Sequence, residues 1–237
     1  MTITKQLEAG IRVFDMRVRL IENIFAMHHE RIYSKIMFGD IINEIDAFVT
    51  SNPKEFVIMF MQEEWYRENT DMDECQILER YIEQYTDLFV KYWSFTNAIG
   101  QHRGKILLSR AHRGFFTCTN WILFCGEQNN WEVSLYCTKD NKWKDIKNLQ
   151  DEIFESEEHL PCYINYLSGN GIFYLPSQVC CKSRVPMDLN FGMFIEELGM
   201  NDKMVDYFRN PKNTMYIVMA DFPSIQLIQK IVNSNFE

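Results

Sequence analysis

The sequence predicts an α/β fold in which a parallel sheet is curved into a barrel. Strand-like apolar runs alternate along the chain with amphipathic helical patterns, and this order is typical of a parallel sheet covered by helices. Polar and charged side chains gather where the strands end, which is where barrels of this kind hold their active sites. The length of 237 residues suits one such domain.

Six runs have the composition of strands. They are Arg12–Leu20, Ile24–His28, Phe56–Met61, Lys105–Leu108, Tyr163–Leu167 and Tyr216–Ala220. In the first run apolar and polar side chains alternate, so Asp15, Arg17 and Arg19 fall on the face opposite Phe14 and Met16. The residues AMHHERIY, which overlap the second run, have a helix-like pattern and are expected to be helical.

Four apolar stripes at helical spacing lie between or after these strands. Their members are Ile41, Ile42, Ile45, Phe48 and Val49; Ile77, Leu78, Tyr81, Ile82, Tyr85 and Phe89; Ile146, Leu149, Ile153 and Phe154; and Ile225, Ile228, Ile231 and Val232. The aromatic-rich stretch Phe115–Tyr136, with turn signals at Cys125–Asn130, is predicted to be an excursion, either a hairpin or a rim loop. No repeat, low-complexity tract or linker divides the chain, so we expect residues 1–237 to form a single domain.

Composition and charge argue against several classes of protein. Apolar residues make up 46% of the chain, enough for a sizeable core, and the net charge of -9 argues against nucleic-acid binding and against docking on an anionic membrane by charge alone. No apolar run approaches the ~20 residues of a spanning helix, and Met1–Gly10 is too polar for a signal peptide. We therefore expect a cytoplasmic protein without a transmembrane segment that can contact membranes peripherally.

The seven cysteines are scattered and odd in number, and none forms a CxxC pair. This pattern does not indicate a zinc site, and the cysteines are expected to stay reduced. The adjacent Cys180 and Cys181 could be lipidated or redox-active, although buried cysteines of this kind are more often small apolar core residues.

The first strand carries side chains suited to phosphodiester chemistry. Asp15 and Arg17 are two residues apart on one face, and His28 and His29 follow at the end of the next apolar run. A planar guanidinium can bind two phosphate oxygens at once, and an imidazole beside it can transfer a proton. The same spacing is equally compatible with a salt-bridged strand and two surface histidines.

The order of several motifs resembles the X domain of phosphatidylinositol-specific phospholipase C, in particular the small single-domain eukaryotic proteins and the secreted bacterial enzymes. The motifs are QLEAGIRVFDMR from Gln6, the HH pair, NPKEFVIMF from Asn52, GKILLSR at Gly104–Arg110, YINYLS at Tyr163–Ser168 and YIVMADFP at Tyr216–Pro223. The resemblance is strongest up to Glu64 and weakest between Phe115 and Pro161. It implies a distorted, incompletely closed TIM barrel.

Carried over residue by residue, the resemblance implies a catalytic set. Asp15 would lie in the active site, Arg17 would contact the phosphate, and His29 would be the general acid that protonates the diacylglycerol oxygen. Asp221, in the motif MADFP, would orient the catalytic base histidine. Glu30 departs from the glycine that the family usually has after the acid histidine.

The same resemblance implies contacts with the substrate. Arg110 matches a residue that holds inositol hydroxyl groups, Glu64 matches an acidic position at the end of its strand, and Gln62 stands where bacterial members carry lysine. Calcium-dependent members have an acidic metal ligand in place of Arg17, so the chain resembles the metal-independent branch and is expected to use no metal or other cofactor. The guanidinium would then neutralise the charge that the cation neutralises elsewhere.

Members of the family begin with a strand that ends in a GTHDS-like turn and supplies the general base. That segment is expected about 25–50 residues before Gln6, whereas the chain begins at Met1. We therefore expect the first βα unit and the base to be missing, so that the barrel is incomplete and the chain is marginally stable or associated and essentially inactive. A start site placed too far downstream in the gene would explain the same absence without a loss of function.

The resemblance predicts a phosphoric diester hydrolase that acts on a phosphatidylinositol-like membrane lipid and releases diacylglycerol and cyclic inositol phosphate. The alternative is a non-catalytic X-domain protein that binds inositol lipid or a protein partner.

Overall fold

The computed structural model describes residues 1–85, 87–95, 98–119, 125–133, 138–171, 174–188, 193–211 and 214–236. The chain divides into two compact units, Met1–Leu123 and Phe124–Glu237. The single domain expected for residues 1–237 stays a prediction.

The first unit alternates strands and helices as the sequence predicts. Its elements are α1 (Ile3–Glu8), β1 (Val13–Ile21), β2 (Ile24–His29), β3 (Ile32–Met37), α2 (Phe38–Ser51), β4 (Phe56–Glu63), α3 (Glu74–Gln84) and β5 (Lys105–Arg110), with a 3-10 turn at Ile99–His102. The strands form one sheet in the order β3-β2-β1-β4-β5. β1, β4 and β5 run parallel, whereas β2 and β3 are antiparallel to their neighbours.

The prediction of a helix over AMHHERIY is wrong, because these residues form the end of β2, a turn and the start of β3. Glu22 and Asn23 both adopt positive φ, which suits a two-residue hairpin turn and brings β2 back along β1. The Asn23 side chain also binds the loop before α3, accepting hydrogen bonds from the backbone N–H groups of Asp71 and Met72. Pairing within the sheet thus overrides the local helical preference.

The two faces of this sheet have different chemistry. The alternate residues of β1 that include Met16 and Val18 are buried against α2 and α3, together with Met59 of β4 and Leu108 of β5. The other face carries the remaining alternate residues, which begin with the partly exposed Val13 of β1. Every charged side chain of β1 lies on this second face, because side chains of a strand alternate between faces.

The second unit contains three parallel strands and a separate hairpin. Its elements are β6 (Cys125–Gln128), α4 (Lys139–Glu155), β7 (Cys162–Tyr166), α5 (Pro176–Cys180), β8 (Ser183–Asp188), β9 (Met193–Glu197), α6 (Met200–Tyr207), β10 (Met215–Met219) and α7 (Ile225–Ser234). One sheet has the order β10-β7-β6, and β8 pairs with β9. The predicted strands near Tyr163 and Tyr216 and the predicted third and fourth helices are confirmed.

β6 lies inside the predicted excursion Phe115–Tyr136 and was not predicted as a strand. Residues 120–124 and 134–136 of that stretch lie outside the described residues. β6 pairs parallel with β7 rather than forming a hairpin or a rim loop. The strand is only four residues long and contains a glycine, so no apolar alternation marks it. A Cβ atom at Gly126 would lie 2.6 Å from the Tyr163 ring, so glycine is required for this close packing.

Four cysteines form disulfides, Cys75–Cys118 in the first unit and Cys125–Cys162 in the second. The expectation that the cysteines are reduced is therefore wrong for these four. Such pairs could not be assigned from the sequence, because the partners are 43 and 37 residues apart. Disulfides persist mainly in oxidising compartments, so they do not favour the cytoplasmic location, which remains a prediction. Across the described ranges, no helix is long and apolar enough to cross a membrane.

Removal of the Cys75–Cys118 disulfide should destabilise the first unit. The double variant Cys75→Ser/Cys118→Ser loses a cross-link that closes a 43-residue separation, and the chain-entropy model assigns such a link about 4 kcal/mol. Denaturant unfolding under non-reducing conditions measures the change, and peptide mapping of the native chain verifies the pairing. Free thiols at both positions in the native chain, or unchanged unfolding of the variant, would contradict the pairing or its contribution.

Candidate active site

The charged residues of β1 form the centre of the candidate site. Arg17 Nε donates to Asp15 Oδ2 at 3.0 Å, and the two side chains are 38% and 26% exposed. In the parallel pairing of β1 with β4, Arg17 lies opposite Gln62. The structure therefore brings three of the predicted site residues to one face of the sheet.

Glu64 adds a second carboxylate to the same guanidinium. Its Oε2 atom lies 3.7 Å from Arg17 Nη1 and accepts from Gln62 Nε2 at 3.5 Å, and its side chain is only 10% exposed. The Glu64 backbone N–H donates to Val18 O at 2.7 Å, which extends the β1–β4 pairing past the end of β4. Two carboxylates on different strands thus orient one guanidinium.

The preceding residue, Glu63, has a structural role. Its two carboxylate oxygens accept from Arg67 Nε and Nη2 at 2.8 Å each, and Arg67 Nη2 also contacts Glu74 Oε2 of α3 at 2.7 Å. These hydrogen bonds, above all those to Glu63, raise the pKa of Arg67. The bidentate pair ties the end of β4 to the start of α3, so Glu64 is presented from a fixed strand end.

Several buried acceptors near these groups have no hydrogen-bond partner among the described residues. Asp15 Oδ1, Gln62 Oε1 and Ser109 Oγ receive no hydrogen bond from the described part of the chain. Asp15 pairs with Phe60, and Phe60 pairs with Ser109 of β5, so Asp15 and Ser109 lie in one cross-strand row. An unsatisfied buried polar group costs about 1–3 kcal/mol, so these acceptors call for donors from a ligand or water.

Ser109 was missed by the sequence analysis. The predicted strand stopped at Leu108, whereas β5 continues to Arg110. Extending the strand by two residues places Ser109 on the face of Asp15, because side chains alternate. The alternation of the apolar run Lys105–Leu108, continued by one residue, would have predicted this face for Ser109.

The two adjacent histidines have different positions. Phe25 and Met27 of β2 pack in the helix-covered core, so His28 lies on the opposite face, the face of Arg17. His28 is 5% exposed and its Nδ1 atom has no partner among the described residues, whereas His29 is exposed at the end of the hairpin. The structure therefore brings His28, rather than the predicted acid His29, to the face that carries Arg17.

Glu30 stands in the hairpin turn with φ 50°. This left-handed conformation costs a residue with a Cβ atom roughly 1–2 kcal/mol, which explains why a glycine would suit the position. The Glu30 backbone N–H donates to Glu64 Oε1 at 3.0 Å, and this bond holds the turn. Glu30, which stands where the family usually has glycine, is thus held in place by its backbone contact with Glu64 of the candidate site.

A cavity of about 290 Å³ lies at the end of β4. It is lined by Gln62, Glu63, Glu64, Trp65, Tyr66 and Arg113. Arg31 of the hairpin turn lies over the Trp65 ring at 5.4 Å. The cavity therefore opens beside the carboxylate that contacts Arg17, at the end of the strand where barrel enzymes bind substrates.

Arg110 lies on the other face of this sheet, and Asp221 belongs to the second unit. Arg110 pairs with Met61, whose side chain packs in the helix-covered core, and its guanidinium lies 4.4 Å from the centre of the Phe116 ring. Asp221 follows β10 in the second unit, where its carbonyl oxygen accepts from Asn201 Nδ2 at 2.9 Å. The roles of Arg110 and Asp221 stay predictions.

Within the described ranges, no group of three or more His, Cys, Asp or Glu side chains is placed to hold a metal ion.

Comparison with known proteins identifies relatives over this part of the chain and beyond it. The family model "Phosphatidylinositol-specific phospholipase C, X domain" matches residues 1–111, which include β1 to β5 and the candidate site. A 1-phosphatidylinositol phosphodiesterase of Listeria monocytogenes is 25% identical over 248 residues, which cover 99% of this chain and 71% of the relative.

Solved structures show the same fold along nearly the whole chain. The phosphatidylinositol-specific phospholipase C of Listeria monocytogenes superposes with a TM-score of 0.70 at 20% identity, covering 99% of this chain and 82% of that one. The phosphatidylinositol-specific phospholipase C of Staphylococcus aureus superposes with a TM-score of 0.71 at 16% identity, covering 97% of this chain and 83% of that one.

These likenesses confirm the predicted fold class, a distorted TIM barrel. Together with the motifs around Asp15 and Arg17, they confirm the resemblance stated from the sequence. Over residues 1–111 the chain is therefore similar to the X domain of phosphatidylinositol-specific phospholipase C.

Proposed function

We propose that the chain is a phosphodiesterase of the phosphatidylinositol-specific phospholipase C type. It would act on a phosphatidylinositol-like lipid and release diacylglycerol and cyclic inositol phosphate without a metal ion. The observation that carries the proposal is the Arg17 guanidinium, held by Asp15 and contacted by Glu64 on a face with unpartnered acceptors. The relatives named above are phosphatidylinositol phosphodiesterases, which supports the same reaction.

In this reaction the 2-hydroxyl group of inositol attacks phosphorus, and the bond from phosphorus to the diacylglycerol oxygen breaks. Arg17 neutralises the negative charge that grows on the non-bridging oxygens, because its planar fork can donate to two oxygens at once. The base that removes the proton of the 2-hydroxyl group is assigned by the resemblance to a strand before Gln6. The assays below therefore include any residues that the gene encodes before Met1.

We assign the general acid to His28 rather than His29. His28 is buried on the face of Arg17, and its Nδ1 atom has no hydrogen-bond partner in the described part of the chain, whereas His29 is exposed and pairs with Ile32. A general acid must lie within hydrogen-bond reach of the leaving oxygen. An imidazole on the same face as the phosphate-binding guanidinium meets this requirement better than one at the exposed hairpin end.

The unpartnered acceptors favour a headgroup rich in hydroxyl groups. Asp15 Oδ1, Gln62 Oε1 and Ser109 Oγ are buried and can each accept a hydrogen bond. A cyclitol ring offers several O–H donors in a fixed arrangement. Gln62 keeps the polarity of the lysine found in bacterial members but not its charge, so hydroxyl groups rather than additional phosphates suit this end of β4.

Peripheral contact with a membrane would use apolar side chains of the hairpin tip and the loop after β4. Ile32 is 69% exposed and Tyr66 is 71% exposed, and Arg31 lies beside them over Trp65. The net charge of -9 disfavours attraction by charge alone. Aromatic and apolar side chains that insert into the interface would supply the contact instead.

Replacement of Arg17 by lysine should reduce turnover by about 10²–10³, because the planar fork is lost although the charge is kept. Release of inositol phosphate from phosphatidylinositol vesicles measures the rate, and thermal melting is recorded in parallel. If Arg17→Lys is as active as the wild type, or if its rate falls only as far as its stability does, then Arg17 has only a structural role in an ion pair with Asp15.

The two histidines can be tested against each other. His28→Ala should lose about 10²–10⁴ in rate on the lipid, whereas His29→Ala should keep most of the activity. A substrate with a phenolate leaving group needs little protonation, so the loss in His28→Ala should shrink on that substrate. A large loss confined to His29→Ala would restore the prediction made from the sequence.

Activity should survive chelators. Because Arg17 supplies the positive charge at the phosphate, EDTA or EGTA should leave the rate on phosphatidylinositol unchanged. Loss of activity that added calcium restores would overturn the metal-independent mechanism. Binding of inositol lipid by the same protein without turnover would instead support the non-catalytic alternative.

A further inference from the structure

Two adjacent cysteines, Cys180 and Cys181, lie at the end of α5 in the second unit. Their Sγ atoms are 2.7 Å apart, and neither cysteine takes part in a disulfide. Cys180 is fully buried, whereas Cys181 is partly exposed. A reagent from solvent therefore meets the sulfur of Cys181 first.

The peptide that joins the two cysteines is packed tightly. A Cβ atom on Gly199 would lie 2.2 Å from the Cys180 carbonyl oxygen and 2.2 Å from the Cys181 nitrogen. The backbone N–H of Gly199 donates to Asp202 Oδ2 at 3.0 Å, which fixes the glycine at the start of α6. The peptide between the two cysteines is thus packed against Gly199, where a side chain would clash with it.

The surroundings keep Cys180 in the thiol form. Burial, followed by the neighbouring sulfur of Cys181 and the carboxylate of Asp221, raises the pKa of the Cys180 thiol. Cys181 Sγ lies 4.0 Å from Phe222 O, at the turn after β10. The partly exposed Cys181 is therefore the sulfur that a reagent can reach, and Cys180 is the buried sulfur next to it.

We propose that Cys180 and Cys181 are a redox-active vicinal dithiol, which closes to a disulfide by exchange with a low-molecular-weight disulfide such as glutathione disulfide. The Cys181 thiolate attacks one sulfur of the reagent, whose S–S bond breaks and releases one glutathione thiol. Cys180 then loses its proton and attacks the Cys181 sulfur, which releases the second glutathione. Two protein thiols are oxidised, and one disulfide reagent is reduced to two thiols.

The disulfide between the adjacent residues Cys180 and Cys181 should be reduced more readily than the two disulfides between distant cysteines. Adjacent Cα atoms are about 3.8 Å apart across a trans peptide, shorter than the roughly 4.4–6.8 Å of most disulfides. Such strain makes a disulfide easier to reduce. The pair would therefore respond to redox conditions that leave Cys75–Cys118 and Cys125–Cys162 intact.

Formation of the Cys180–Cys181 disulfide would change contacts at the turn after β10. Asn201 Nδ2 donates to the carbonyl oxygens of Asp221 and Phe222 at 2.9 and 3.2 Å, and Cys181 approaches the same Phe222 carbonyl. The turn carries the aspartate predicted from the sequence to orient the base. The dithiol itself, however, goes beyond the proposed function and does not rest on it.

The test is an equilibration of the whole chain in buffers with a graded ratio of reduced to oxidised glutathione. Thiols are then blocked with iodoacetamide, and the peptide that contains both cysteines is weighed. We expect it to lose two hydrogen atoms reversibly, at a ratio more oxidising than the ratios that reduce Cys75–Cys118 and Cys125–Cys162. The readout is mass, so it is independent of phosphodiesterase activity.

Two variants separate the steps. Cys180→Ser should trap glutathione on Cys181, because no second thiol can resolve the mixed disulfide, whereas Cys181→Ser should trap none in the folded state. Thermal melting verifies that each variant is folded. A wild-type peptide that keeps two free thiols at every ratio, or one that stays a mixed disulfide, would overturn the proposal and leave the cysteines as core residues.

Discussion

The parallel pairing of β1 with β4 determines where the charged groups of the candidate site lie. Its register sets Arg17 opposite Gln62, and it continues through the hydrogen bond from Glu64 N to Val18 O. Side chains alternate along a strand, so a slip by one residue would turn Asp15 and Arg17 into the helix-covered core. The apolar residues of β1 that pack against α2 and α3 therefore fix the register, and the register in turn fixes the face on which the charged residues of the site lie.

The electrostatics of the site follow from that register. Arg17 receives one carboxylate from its own strand and another from the end of β4. A guanidinium has five N–H donors in a rigid fork, and the contacts to Asp15 and Glu64 orient that fork. Its side chain is 38% exposed, so the ion pair is not sealed in the core. An oriented, partly exposed guanidinium can bind an anion, whereas a fully buried pair would be only structural.

The sequence was sufficient for the features that depend on local periodicity. The alternation in β1 predicted the shared face of Asp15 and Arg17, and the helical stripes predicted α2, α3, α4 and α7 with small shifts at their ends. Phe89, assigned to the second stripe, lies after the end of α3 and pairs with Ile106 instead. End residues are decided by tertiary contacts, which the pattern of a single segment does not contain.

The features that were missed depend on long-range contacts. The cysteine pairs join positions far apart, and β3 exists because a turn at Glu30 returns the chain along β2. The choice between His28 and His29 is different, because the alternation of Phe25 and Met27 already placed His28 on the face of Arg17. Motif matching points to His29, whose role as general acid stays a prediction, whereas the strand pattern of β2 is the basis for proposing His28.

Glu64 links the parts of the site that the sequence treats separately. Its Oε2 atom faces Arg17, and its Oε1 atom accepts from the Glu30 backbone in the hairpin turn. The exposed hairpin tip and the guanidinium at the centre of the site therefore share one carboxylate. Any change that displaces Glu64 alters the turn and the orientation of Arg17 together, so this residue couples the surface proposed to meet the lipid to the group proposed to bind its phosphate.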